Sequence, residues 1–206
     1  MEYNISLLLI RHGETASNKE HRYLGQTEES LSEKGIEQLM RNKELNRYPS
    51  IDVLFTSPMK RCLETAELLY PEKKACVIEK WREMNFGAFE GKNYLELKED
   101  ARYQAWIDSN GTIAFPNGES QEEFVSRTVQ GMDELQRHLK QIKEEHQPMP
   151  RKIGLIVHGG TIMALLSHYY GGAYFDYQVN NGAGYQCKCV LSEESIEMIE
   201  IEKLPV

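Results

Sequence analysis

Ile5-Ser6-Leu7-Leu8-Leu9-Ile10-Arg11-His12-Gly13-Glu14 is the stretch on which the reading of this chain turns. Residues 5–10 are short, continuous and mostly apolar. That pattern belongs to a central strand of a parallel sheet, buried on both faces. The strand runs into a fixed cation, an imidazole and a glycine. Arginine presents a fork of donors that suits phosphate, and a neutral imidazole is a competent nucleophile. An echo lies far along the chain, where Ile153-Gly154-Leu155-Ile156-Val157 leads into His158-Gly159-Gly160.

Around these two strands the chain alternates strand and helix. Residues 32–46 read as a helix capped by Ser32, with Ile36, Leu39 and Met40 on one face. Residues 51–56 read as a second strand. Ser57-Pro58 then looks like an N-cap followed by proline at the first helical position. That helix continues to about Tyr70 with Cys62, Leu63, Ala66 and Leu69 facing inward, and residues 75–79 form a third short strand. Residues 80–119 hold both tryptophans, Trp81 and Trp106, several glycines and little periodicity. They read as a lid inserted over the sheet.

A long helix starts after Ser120, where Ser120 and Glu123 make a capping box. Val125, Thr128, Met132, Leu135, Leu139 and Ile142 then recur every three or four residues until Pro148 and Pro150. Residues 153–158 are a buried strand, and 161–170 a helix stopped by Gly171-Gly172. Residues 185–191 and 195–202 alternate as a closing hairpin. This order predicts one α/β domain over residues 1–206: a three-layer α/β/α arrangement, a mostly parallel central sheet and a small inserted lid at 80–119. Ligands of such sheets sit beyond the carboxyl ends of the strands, where Arg11-His12, Ser57 to Arg61 and His158-Gly159 are found.

Composition narrows the function. The chain has 206 residues, 40% hydrophobic and 27% charged, with a net charge of −8. An acidic balance argues against general nucleic-acid binding, which needs a basic face, but allows a local basic pocket for a small anion. The apolar runs are far too short to span a bilayer, and Met1-Glu2-Tyr3-Asn4 resembles no export signal. A cytoplasmic protein with no membrane and no nucleic-acid partner is expected. Cys62, Cys76, Cys187 and Cys189 form no CxxC pair and read as reduced structural thiols.

Lys60-Arg61 sits where a helix dipole disfavours cations; an anion bound between the two would explain it. His158 with Gly159-Gly160 offers an imidazole and free N–H groups at a helix start. Two histidines and a carboxylate could instead bind zinc, but arginines around a divalent cation would repel it, so no metal is expected.

Four segments together, LLLIRHGETASN, TSPMKRCLETAELL, WREMNFGAFEG and GLIVHGGTIMALL, resemble the histidine phosphatase superfamily, the phosphoglycerate-mutase-like proteins. The resemblance runs from about Leu7 to Leu166 and implies the phosphoglycerate-mutase-like fold. It implies phosphoryl transfer through a phosphohistidine, without metal or cofactor, on a small phosphorylated metabolite. Carried over by motif, His12 is the nucleophile and Glu83 the general acid. Arg11, Asn18, Arg61, a cationic His158 and the N–H of Gly159 hold the phosphate. Glu90, in the same segment, is the rival proton donor.

The stretch from Phe115 to Arg127 and the stretch from Phe86 to Gly91 resemble the alpha-ribazole phosphatase group, which removes the 5′-phosphate of alpha-ribazole phosphate in cobalamin assembly. The chain departs from that group with Phe89 where tryptophan is commoner, and from the usual family pattern with Glu28 where aspartate is. Three readings stand: a phosphomonoesterase, a phosphoglycerate mutase or sugar-bisphosphate phosphatase on the same machinery, and a non-catalytic interaction module. The sequence sets no oligomeric state.

Overall fold

The fold was derived from a computed structural model, which describes residues 2–144, 148–192 and 195–206. They form a six-stranded sheet in the order β3-β2-β4-β1-β5-β6. The strands are β1 (Tyr3–Arg11), β2 (Val53–Thr56), β3 (Ala75–Val77), β4 (Lys152–Val157), β5 (Gly184–Leu191) and β6 (Ile196–Lys203). Pairings among β3, β2, β4 and β1 are parallel; β5 and β6 add an antiparallel edge beside β1. The sheet is therefore mixed but mostly parallel, as its alternation with helices predicts. Among the described residues no helix is long and apolar enough to cross a membrane.

Alternate side chains of β1 feed two separate cores, which is why residues 5–10 read as a continuous apolar run. Leu7 and Leu9 pack with Met132, Leu135 and Leu139 of α6 (Gln121–Glu144) and with Ile162 and Leu165 of α7 (Gly159–Tyr169). Leu8 and Ile10 pack on the opposite face with Leu39 of α2 (Glu33–Glu44) and with Cys62, Ala66 and Leu69 of α3 (Lys60–Leu69). This is the expected three-layer α/β/α arrangement. The capping box at the start of α6 forms as read, with Ser120 Oγ accepting from the Glu123 N–H and the Glu123 carboxylate accepting from the Ser120 N–H. How α6 ends ahead of Pro148 lies outside the described residues.

Three helix expectations are corrected. On α2 the buried stripe is Gly35, Leu39 and Asn42, and Ile36 and Met40 are exposed. Gly35 explains the rotation: a Cβ there would lie 2.2 Å from the Glu14 carbonyl oxygen, so α2 approaches that backbone through its glycine. On α3, Leu63 is exposed and Thr65 takes an inward place. Ser57-Pro58 does not start α3 either; the N-cap is Met59, without a side-chain cap bond. The Glu28 carboxylate accepts from the Lys60 N–H at 2.9 Å and supplies the anion this helix start wants.

The tryptophans part company. Trp81 closes a short 3-10 turn after β3 and is fully buried against α6 in the main core. Gly131 makes room for it, since a Cβ there would lie 2.2 Å from Trp81 Nε1. Trp106 belongs to a third cluster. There Met84, Phe89, Leu97, Tyr103 and Phe115 pack on Phe124 of α6 and Ala164 of α7, around α4 (Tyr94–Leu97) and α5 (Ala101–Asp108). Residues between Met84 and Phe115 thus contribute a small aromatic core, seated on the two helices that flank β4.

Leu9 is fully buried at the centre of the main core. Leu9→Ala is expected to destabilise the protein by about 2–5 kcal/mol, read as a fall in melting temperature. A loss under about 1 kcal/mol would mean that this face of β1 is not close-packed.

Candidate active site

The site is assembled at the carboxyl ends of three neighbouring parallel strands. β1 and β4 pair with Arg11 opposite Val157, and β2 pairs with β4 with Thr56 opposite Ile156. The residues that follow, His12, His158 and Ser57, therefore meet. The two imidazoles stand edge to face with ring centroids 5.2 Å apart, and His158 Nε2 shares a 2.7 Å hydrogen bond with Ser57 Oγ. Ser57 Oγ also accepts from the Met59 N–H at 3.3 Å, so the hydroxyl braces the turn ahead of α3 while it holds His158.

His12 is buried, and its Nδ1 lies 2.8 Å from the Gly13 carbonyl oxygen. A carbonyl only accepts, so Nδ1 carries the proton and Nε2 keeps its lone pair. Thr65 Oγ1 accepts from the Gly13 N–H at 3.0 Å and donates to the Arg61 carbonyl, tying this turn to α3. Burial first, then Arg61 and Arg11, hold His12 well below the usual imidazole pKa and keep it neutral.

Arg11 and Arg61 supply the positive charge. Arg61 is fully buried, and its terminal nitrogens donate to the carbonyls of Thr27 at 3.0 Å and Gly25 at 2.7 Å. Arg11 donates to the Val179 carbonyl at 2.8 Å. In both, Nε is a buried donor without a partner among the described residues. Such groups cost free energy until an acceptor meets them, and a phosphate oxygen fits that need. Lys60 does not join them: its side chain is exposed and lies 3.9 Å from Glu64. The anion expected between Lys60 and Arg61 is thus served by Arg61 alone.

The first turn of α1 (Ala16–Lys19) brings in Asn18. Its Oδ1 accepts from the Thr15 N–H at 3.3 Å and from Asn181 Nδ2 at 2.9 Å, which leaves its own amide N–H groups to donate. Gly159 opens α7 beside Arg11, where a Cβ would lie 3.4 Å from Arg11 Nε. His158 differs from expectation: burial, then Arg61, His12, Arg11 and Arg127, hold it well below the ordinary imidazole pKa. Its neutral form is favoured, because a third cation beside two buried guanidinium groups is unfavourable, and an incoming anion would favour the cationic form.

Glu83 lies across the site from these cations. Its carboxylate accepts from the Met84 N–H at 2.9 Å and the Gly160 N–H at 3.4 Å. A Cβ on Gly160 would lie 2.5 Å from Glu83 Oε1, so the approach requires glycine. Burial raises the Glu83 pKa, partly opposed by the Met84 N–H, Arg61 and Arg11. Glu90 is elsewhere. It accepts from the N–H groups of Gln26 and Thr27 and from Thr27 Oγ1, and so holds the loop whose carbonyls hold Arg61.

Sequence reasoning missed the floor of the site. Asn181 Nδ2 also donates to the His12 carbonyl at 3.1 Å, and the Gly182 N–H donates to the Arg11 carbonyl at 3.0 Å. The signal was Asn181-Gly182, a turn dipeptide with φ +75° at Gly182. A cavity of about 780 Å³ opens on the site, lined by Arg11, Asn18, Glu83 and Gly159 together with Tyr23, Phe86, Trp106, Phe115 and Tyr174. Among the described residues no three His, Cys, Asp or Glu side chains group as metal ligands. The arrangement can bind a phosphate monoester, present an imidazole lone pair to it and offer a proton from a carboxyl group.

The buried histidines set a pH dependence. Unfolded, each takes up a proton near 6.5; folded, each resists until well below that value. Their stabilising effect is complete above about 6.5 and is lost as pH falls toward the folded values. Melting temperature should therefore drop on acidification through that window, and less steeply in a His12→Asn, His158→Asn double variant. Identical slopes would refute the neutral assignment. Glu83 acts oppositely: its raised pKa costs stability above its unfolded value of 4.5, so Glu83→Gln should melt higher at neutral pH, with the difference vanishing below about 4.5.

Known proteins resemble this chain over most of its length. The family model of the histidine phosphatase superfamily (branch 1) matches residues 7–192. An adenosylcobalamin/alpha-ribazole phosphatase of Escherichia coli K12 is 32% identical over 148 residues, 68% of this chain and 73% of that protein. A 2,3-bisphosphoglycerate-dependent phosphoglycerate mutase of Corynebacterium diphtheriae is 29% identical over 188 residues, 79% of this chain and 75% of the other. The crystal structure of the alpha-ribazole phosphatase from Shigella flexneri superposes with a TM-score of 0.75 at 26% identity, covering 95% of each chain. The fold is that of the phosphoglycerate-mutase-like proteins, and the chain belongs to the histidine phosphatase superfamily, branch 1.

Proposed function

We propose that the protein is a metal-independent phosphomonoesterase that works through a phosphohistidine at His12. The observation that carries this reading is the bare Nε2 of His12, oriented by the Gly13 carbonyl between Arg11 and Arg61 with the raised-pKa carboxyl of Glu83 nearby. Members of the superfamily are phosphatases or mutases. In the proposed reaction His12 Nε2 attacks phosphorus as the P–O bond to the leaving group breaks. Arg11, Arg61, Asn18, His158 and the Gly159 N–H stabilise the charge spread over the equatorial oxygens. Glu83 gives its proton to the departing alkoxide. As a carboxylate it then takes a proton from water, whose hydroxide attacks phosphorus, breaks the P–N bond and frees inorganic phosphate.

The cavity favours hydrolysis of a monoester with a largely apolar alcohol over return transfer to a second phosphorylated acid. Of the cations lining its outer part, Arg22 is already held by Glu20 at 2.7 Å and Glu96 at 2.6 Å. Arg11, Lys203, Gln121, Gln178 and Asn180 line the cavity too, and one side of it is aromatic, with Trp106 stacked on Phe115. A small phosphorylated metabolite with a planar alcohol fits such a wall. Within the family, alpha-ribazole 5′-phosphate has that character, and we take it as the first substrate to try.

Phosphate release and isomerisation are to be measured on alpha-ribazole phosphate, 3-phosphoglycerate, fructose bisphosphates, phosphoserine and a nucleotide, with and without a chelator. Release from the first, insensitive to chelation and abolished by His12→Ala, is expected. Isomerisation of 3-phosphoglycerate would favour the mutase reading, and no turnover on any substrate the interaction module. In kcat/KM, which reports the steps up to the phosphohistidine and not its hydrolysis, Glu83→Gln should cost alkyl phosphates about 10²-fold or more, while p-nitrophenyl phosphate, whose leaving group needs no proton, loses far less. Equal losses would remove Glu83 from the proton-donor role.

A further inference from the structure

Arg127 of α6 stands behind the chain that carries Glu83, and every nitrogen of its guanidinium is used. Nη1 donates to the carbonyls of Lys80 at 2.6 Å and Arg82 at 3.0 Å, and Nη2 reaches the Glu83 carbonyl at 3.4 Å. Nε and Nη2 also form a bidentate pair with the two carboxylate oxygens of Glu119, each at 2.8 Å. Glu119 closes the other side of the same segment: its Oε2 accepts from the Asn85 N–H at 2.8 Å, and its N–H donates to the Asn85 carbonyl at 2.9 Å. The pair is largely sheltered, with side-chain exposures of 22% and 19%.

We infer that Arg127 and Glu119 are positioning residues: together they grip residues 80–85 from both sides and set where the Glu83 carboxyl sits relative to His12. The inference rests on the proposed role of Glu83 as proton donor. Residues 82–86 contain neither helix nor strand. Without a ladder of their own, their carbonyls need donors from outside, and a planar fork reaches several at once where a lysine ammonium cannot. The reason for the precision is on the opposite side, where the carboxylate comes so close to the backbone of Gly160 that no Cβ would fit. Small shifts of residues 82–84 would swing the carboxyl away from a leaving oxygen while leaving Arg11, Arg61 and His12, which rest on other elements, in place.

The test compares kcat and KM for an alkyl phosphate and for p-nitrophenyl phosphate in Arg127→Ala, Arg127→Lys, Glu119→Gln and Glu83→Gln. Expected is a loss in kcat/KM on the alkyl phosphate of about 10- to 100-fold for Arg127→Ala. Little change in kcat/KM is expected for p-nitrophenyl phosphate, and it is this ratio that is compared throughout, since kcat includes hydrolysis of the phosphohistidine, where Glu83 acts on both substrates alike. Glu119→Gln should show the same selectivity in weaker form, Arg127→Lys should restore part of the loss, and Arg127→Ala should add no selectivity on top of Glu83→Gln. Equal losses on both substrates, or none, with Glu83→Gln still selective, would overturn the clamp and leave the proton-donor reading intact. If Glu83→Gln is itself unselective, both fall. Should Arg127→Ala fail to fold, Glu119→Gln, which keeps the side-chain volume and one acceptor oxygen, decides.

Discussion

The parallel pairing of β1 with β4 is the constraint on which the rest depends. Its register, Arg11 opposite Val157, brings the ends of two buried strands level and sets His12 beside His158 from positions 146 residues apart. Burying both faces of β1 pins that register, because the apolar sets of Leu7 and Leu9 and of Leu8 and Ile10 each have a helical layer to meet. The antiparallel β5 on the other side of β1 then leads in from residues 179–183, which supply the floor under Arg11 and His12.

From that register follows an electrostatic problem. Two guanidinium groups and two imidazoles converge in a buried space with one nearby carboxyl. The guanidinium groups donate to backbone carbonyls, and burial and the guanidinium charge lower the pKa of both imidazoles. The same dryness raises Glu83. The unmet guanidinium donors, the neutral nucleophile and the raised carboxyl pKa all suit a phosphate monoester.

The groups that hold these side chains come from scattered places. Glu90 organises the loop that holds Arg61, Asn181 braces Asn18 and the His12 turn, and Arg127 with Glu119 grips the segment of Glu83. Each is a charged or amide side chain spending its bonds on backbone that has no regular partner. The carboxylate of Glu28, where the family commonly has aspartate, does the same at the start of α3. These contacts explain why Glu83 and Glu90, seven residues apart in one segment, do different work.

The strands, their order of alternation with helices and the chemistry at their ends were legible in the sequence, because buried parallel strands must be continuously apolar and the residues that follow them face the ligand edge. The motifs at Arg11-His12, Arg61 and His158 were legible for the same reason. What the local pattern got wrong has a common cause. Ile36 and Met40 look like a core face until Gly35 brings α2 against Glu14; Ser57-Pro58 looks like a cap, but α3 starts later, at Lys60, and the Ser57 hydroxyl meets His158. The neutrality of His158 and the floor at 179–182 arise only when distant elements meet. The sequence by itself determined which residues could carry the chemistry; the tertiary structure decided their charge, tautomer and support, since those depend on burial and on neighbours that chain position does not encode.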